Sequence, residues 1–268
     1  MITHDFIRDI RINQNKSGYR FSVDALILAS FVSLPRAQRI ADLGAGSGII
    51  GLLLARQYAG AEVMLVELQE SLAKRAKENI ALNNLEGRVQ VVKADVKEIC
   101  MKLSEFYALQ SQVGKGHAAQ NKAPAGDYGM MAEGFDLVVS NPPFRRAKAG
   151  LLSLGDERAV ARHELMLSLK DLVQAGALML KHHGKFCIIH LPERLTDIIR
   201  VMNACGMEPK RLRPVHSNAS SEAKMVLVEA VKGARTGMKV ERPLFIFDET
   251  GNYTEEMQRM YSCDAGLG

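Results

Sequence analysis

Apolar residues recur along this chain in short continuous runs and in longer stretches with helical spacing, and the two kinds alternate. Arg39–Leu43, Glu62–Val66, Val89–Val92, Phe135–Val139 and Phe186–His190 are runs of the length and β-branched content of buried strands. Between them lie Ile49–Tyr58, Ser71–Leu82 with Leu72, Ala73, Ala76 and Ile80 on one side, a long helix over Glu157–His182 ended by His183-Gly184, and Glu193–Cys205. Val23–Val32 is apolar on most faces, with Ser22 placed to cap it and Pro35 to close it, and reads as a buried helix. Arg211–Val215 and Met225–Val231 have no helix between them and are expected to pair as an antiparallel hairpin. Repeated strand–helix alternation predicts an α/β fold: a mostly parallel seven-stranded sheet, helices on both faces, and an antiparallel last strand. Residues 1–21 and 104–134 break the pattern. The chain is therefore expected to be one domain over 1–268, with a short N-terminal extension (1–38) and a flexible insertion (104–134), a surface insertion or a substrate-contacting loop.

Composition changes this picture little. The chain has 268 residues, 47% of them apolar, enough for a sizeable core and against global disorder. Cysteines 100, 187, 205 and 263 form no Cys-x-x-Cys pair and no zinc-spaced cluster, so reduced thiols and a cytoplasmic location are expected, with no metal. The N-terminus lacks the apolar core of a signal peptide, and no stretch spans a bilayer. The net charge of +5 matters more for where it sits. Lys210, Arg211, Arg213, Lys224, Lys232, Arg235, Lys239 and Arg242 stand against only Glu222, Glu229 and Glu241. Two readings are open for this run: a solvated edge, or a face that holds phosphates by releasing counterions.

Candidate chemistry begins at the first strand–helix junction, Asp42-Leu43-Gly44-Ala45-Gly46-Ser47-Gly48. Glycines there let a ligand approach the backbone, and the N–H groups of the following helix face it. The stretch contains a formal G-x-G-x-x-G ending at Gly51, but the strand ends at Leu43, so the turn starts at Gly44 and Gly51 already lies in the helix. A carboxylate at Asp42 would repel a dinucleotide pyrophosphate and suits the cationic amino group of a methionine. DLGAGSG thus resembles the first motif of class I S-adenosylmethionine (SAM) methyltransferases. Glu67, ending the second strand, can accept from both hydroxyls of a ribose. Asp95, after the third strand, is placed to meet the adenine ring, with an ordinary surface carboxylate as the alternative reading.

The sharpest signal is Ser140-Asn141-Pro142-Pro143-Phe144, directly after a predicted strand. Two prolines there stop the sheet and stiffen the loop. An exocyclic base amine is a poor nucleophile because its lone pair is delocalised into the ring. Two acceptors, the Asn141 side-chain oxygen and the Pro142 carbonyl, can grip its N–H bonds and turn the lone pair outward, while Phe144 stacks on the base.

In these motifs the chain resembles the bacterial valine-tRNA adenine-N6 methyltransferases. The resemblance also covers Gly18–Ala29, Ala161-Arg162-His163-Glu164, His216-Ser217, Lys224–Gly233 and the tail Pro243–Thr254. It implies a Rossmann-like class I fold, SAM as cofactor, and tRNA as substrate, methylated on N6 of the adenosine 3′ of the anticodon. No membrane contact or obligatory protein partner is expected. It implies catalysis by Asn141, Pro142, Pro143 and Phe144 and cofactor binding by Asp24, Asp42, Gly44, Gly46, Gly48, Glu67 and Asp95. Arg145, Arg146, Lys210, Arg211 and Arg213 are candidate RNA contacts. His163 can take a proton or simply position its segment, and His182-His183 is expected at a helix end, favourable to the helix dipole. Rival readings are guanine-N2 methylation of rRNA, glutamine-N5 methylation of a protein, and a catalytically idle RNA-binding module. Only 38 residues precede Arg39, too few for the extra N-terminal domain that the first two enzyme types commonly carry.

Overall fold

The computed structural model describes residues 2–15, 23–112, 126–143 and 168–262. Its strands are β1 (Ile2–Ile7), β2 (Ile10–Asn15), β3 (Arg39–Leu43), β4 (Glu62–Glu67), β5 (Val89–Lys93), β6 (Phe135–Ser140), β7 (Leu180–His190), β8 (Met207–His216), β9 (Ala223–Lys232), β10 (Lys239–Val240) and β11 (Leu244–Phe245). Its helices are α1 (Val23–Phe31), α2 (Ile49–Gln57), α3 (Glu70–Leu82), α4 (Val96–Gln112), α5 (Asp127–Ala132), α6 (Leu169–Met179), α7 (Leu195–Ala204) and α8 (Glu255–Tyr261).

The main sheet runs β10-β8-β9-β7-β6-β3-β4-β5, with β11 also pairing β8. Only β9 is antiparallel to its neighbours, wedged between β7 and β8. The expected seven-stranded core is therefore present, enlarged to nine by two two-residue strands that run parallel along β8.

Period-2 alternation splits the buried side chains between two cores. Ile40, Val63, Leu65, Leu137, Val139, Cys187 and Ile189 face one side with α1, α2 and α8. Ala41, Leu43, Met64, Val66, Val138, Phe186 and Ile188 face the other, with α4, α6 and α7. Both faces of the central strands are thus buried, which explains their unbroken apolar runs.

In the N-terminal extension, β1 and β2 form a hairpin that buries Ile7, Ile10 and Ile12. Three expectations are corrected. The 104–134 insertion is partly regular, since α4 continues to Gln112 and α5 occupies Asp127–Ala132. The helix expected over Glu157–His182 runs from Leu169, capped by Ser168, to Met179, and residues 157–167 of the expected range lie outside the described residues. His182 and His183 sit in β7 instead, where the β6 pairing slips between Phe135 and Leu137 and His183 adopts φ 63°. They serve no helix dipole.

Candidate functional site

The carboxyl ends of β3, β4, β5 and β6 form one edge, the usual ligand side of an open α/β sheet. Asp42 is second from the end of β3, on the same face as Ile40, and this parity aims it at α2. Its Oδ2 accepts from the Gly51 backbone N–H at 3.1 Å, inside the first turn of α2. The other oxygen, Oδ1, is fully buried and has no hydrogen-bond partner. Burial, offset in part by the Gly51 bond and reinforced by nearby Glu67, pushes the Asp42 carboxyl up to about 7.

The glycine turn is bolted to the end of β4. Gly44 and Ala45 both donate to the Val66 carbonyl, at 2.9 and 3.0 Å. Glu67 is buried and receives the Gly46 N–H on Oε2 and the Gln69 N–H on Oε1, each at 2.8 Å. Two of its roughly four lone-pair sites remain, enough for a diol. Gly44 has φ 74° and a Cβ there would meet nothing within 4 Å, so that side of the turn is open. Gly48 has φ 86° and seats the turn on the sheet, since a Cβ would lie 2.8 Å from Leu65 Cδ1. An orphaned buried carboxylate oxygen at the end of β3, directly before a turn with an open side at Gly44, fits the cationic end of SAM.

The other expected cofactor residues are more weakly placed. Asp95 caps α4, its Oδ1 accepting from the Lys97 N–H at 2.8 Å. Asp24 lies half-buried in the first turn of α1. At the end of β6, Ser140 is buried and its hydroxyl donates to the Leu43 carbonyl at 2.7 Å, tying the Asn141-Pro142-Pro143 loop to the glycine turn. Asn141 is half-buried, Pro142 buried and Pro143 exposed. Phe144, Arg145, Arg146 and His163 lie outside the described residues.

Three features were missed in the sequence. Asn79 in α3 and Asn83 just past its end, one turn apart, act as a substitute strand for β2. Asn79 Oδ1 accepts from the Asn13 N–H at 2.8 Å, and Asn83 pairs with both the N–H and the carbonyl of Arg11. Asn79 Nδ2 also donates to the Ser47 carbonyl at 3.0 Å, which links the hairpin to the glycine turn. His190, at the carboxyl end of β7, accepts the Leu191 N–H on Nδ1, and burial with the Arg194 charge lowers its pKa to about 4, so it is neutral at pH 7. The signal for Asn79 and Asn83 was there: asparagine is a poor choice for a helix interior unless its amide is used.

The basic run divides. Lys210 Nζ donates to the Arg235 carbonyl. Arg211 bridges Glu229 at 2.9 Å and Glu241 at 2.7 Å, and Arg213 pairs with Glu256 at 2.7 Å. These three residues have partners within the chain, leaving Lys224, Arg235, Lys239 and Arg242 as the run's exposed cations.

The methyltransferase small-domain family model matches residues 19–106. A Porphyromonas gingivalis tRNA1(Val) (adenine(37)-N6)-methyltransferase is 26% identical over 257 residues, covering 93% of this chain and 89% of its own length. The Bacteroides thetaiotaomicron enzyme of the same name is 30% identical over 188 residues, covering 69% and 65%. The chain belongs to the SAM-dependent methyltransferase family of these enzymes. A solved structure of a predicted O-methyltransferase from Agrobacterium tumefaciens superposes with a TM-score of 0.63 at 24% identity, covering 88% of this methyltransferase and 94% of its own chain, and so shares the class I fold. Among the described residues no helix of the methyltransferase is long and apolar enough to cross a membrane, and no cluster of ligating side chains could hold a metal.

Proposed function

We propose that this methyltransferase modifies the N6 amine of an adenosine in tRNA, the one 3′ of the anticodon in valine tRNA, and that it works in the cytoplasm where that tRNA is found. The observation that carries the reading is the Ser140–Leu43 bond, which places an Asn-Pro-Pro loop beside a glycine turn with an orphaned carboxylate. SAM, when bound, supplies a methyl group activated on a sulfonium. Asp42 and the open side of Gly44 would hold its methionine end, Glu67 its ribose, and Asp95 its adenine. Asn141 and Pro142 would accept the two N–H bonds of the target amine and fix its lone pair on the cofactor side. Phe144 would stack on the base. Nucleoside mass spectrometry of total tRNA from a strain lacking the enzyme should show loss of N6-methyladenosine. Unchanged levels, with a changed rRNA or protein target, would replace this reading.

Two predictions concern the cofactor. Asp42 is half-protonated near pH 7 in the free protein, and a cation prefers the carboxylate. SAM binding should therefore expel a proton, and affinity should rise with pH between 6 and 8, by up to about tenfold per unit below 7. Calorimetry in buffers of different ionisation enthalpy checks the proton, and Asp42→Asn should abolish it. The sign for stability is opposite: a carboxyl raised from 3.8 stabilises the cofactor-free fold below pH 4 and progressively less as pH rises to about 7. The second concerns Asn79. Asn79→Asp keeps the acceptor for the Asn13 N–H but removes the donor to Ser47, and SAM affinity should fall about tenfold. Asn83→Asp disturbs the same hairpin without touching the turn and should bind SAM nearly as wild type does.

A further inference from the structure

The proposed reaction needs RNA held outside the reactive pocket, and Lys210, Arg211 and Arg213 are engaged inside the fold. A different surface stands on the same edge of the sheet. β11 runs parallel to β8, and the pairing continues past its end, with the Ile246 and Phe247 N–H groups donating to the carbonyls of His216 and Ser217. This carries Phe247 to the carboxyl edge where Asn141 also lies. Across the order β6-β7-β9-β8-β11 the two lie four strand spacings apart, about 19 Å sideways at ~4.8 Å each, and the strand registers put Phe247 farther along by about five residues, roughly 16 Å at ~3.3 Å each.

Phe247 stacks on Tyr253 with centroids 5.3 Å apart and planes 9° from parallel, and Tyr253 stacks in turn on Tyr261, also at 5.3 Å. Tyr261 packs against the core, so the stack runs outward from Tyr261 through Tyr253 to Phe247. Phe247 and Tyr253 each remain 38% exposed. The loop between them is stiff. Asp248 Oδ1 accepts from the N–H groups of Thr250 and Asn252 and from the Thr250 hydroxyl, while the Asp248 N–H donates to the Asn252 carbonyl. Thr254 closes the base of the loop, donating to the Phe245 carbonyl and capping α8. An exposed pair of rings presented this rigidly loses little entropy when a third ring is added.

We propose that Phe247, backed by Tyr253 and Tyr261, is a stacking platform for an unpaired base of the RNA substrate, several nucleotides along the loop from the one that is methylated. This rests on the RNA-methylating reading above. The loop also carries Asp248 and Glu249, and Glu255 opens α8 just after it, so it is no phosphate cradle, and recognition comes from ring faces. The platform holds a loop nucleotide in register without reading its identity, which a single reactive pocket cannot do by itself.

The test uses the full chain and an unmodified valine-tRNA transcript. Phe247→Leu keeps apolar bulk but has no ring, and should raise the tRNA Kd and KM about tenfold. It should leave SAM affinity unchanged and the dependence of tRNA binding on salt at its wild-type slope, because no ionic contact is lost. Phe247→Trp should bind at least as tightly as wild type. Leu and Trp variants that both bind as wild type, or that lose binding equally, would overturn the platform. If wild type methylates the transcript while either of those results holds, the platform alone falls. If wild type neither binds nor methylates tRNA, the proposed substrate fails and the platform with it.

Discussion

Asn141→Ala should lower methyl transfer by about two to three orders of magnitude while SAM affinity stays within a few-fold of wild type. The size follows from removing one preorganised polar contact that strengthens as charge develops in the transition state. The target amine gains positive character as its lone pair localises, and an acceptor on its N–H bond is worth more at that moment than in the ground state. kcat should therefore fall far more than KM for either substrate rises. Asn141 is half-buried in a loop stiffened by two prolines and anchored through Ser140, so the truncation leaves the loop in place. Single-turnover methylation with radiolabelled SAM, beside calorimetric SAM binding, separates the two effects. Activity within tenfold of wild type would show that the Pro142 carbonyl and positioning suffice.

The largest stability effect is expected at Glu229, away from the site. Glu229 is 2% exposed in β9 and accepts from Arg211 at 2.9 Å and Lys185 at 3.2 Å, while Arg211 also holds Glu241. Its burial beside the Cys187 thiol, which burial itself pushes up, makes this an internal charge network. Glu229→Ala leaves two cations partly buried without their shared anion and should cost about 3–5 kcal/mol. For a chain of this size that lowers the melting temperature by roughly 10 °C. Arg211→Glu would set like charges face to face and do at least as much harm. Loss of tRNA binding in an Arg211 variant would then report a damaged fold. Thermal unfolding of the Glu229 variant decides this, and a shift below about 2 °C would show that water compensates the cations.

The local elements were legible because their signals are local. β3 begins and ends where the apolar run does, and α2, α3 and β4 to β6 agree within a residue or two at each end. Asp42 and the glycines follow from a strand ending at Leu43, and Ser140–Pro143 from a strand ending before two prolines. What the sequence determined by itself was therefore the alternation, the class of fold and the two motifs, each set by a few neighbouring residues.

Tertiary structure decided the rest, because those features depend on partners far along the chain. The hairpin of β1 and β2 is short and polar on one side, and it persists because Asn79 and Asn83, some 66 to 72 residues away, complete its hydrogen bonds. β7 begins at Leu180 rather than after Gly184, because pairing with β6 and β9 outweighs the helical signal around His182 and His183. The basic run read as one surface, yet strand parity turns Arg211 toward Glu229 across β8 and β9, where an ion pair is available. Charge summed along a sequence gives no direction to a side chain. Only the packed sheet shows which cations are spent inside the fold and that the exposed rings of Phe247 and Tyr253 reach the edge that carries Asn141.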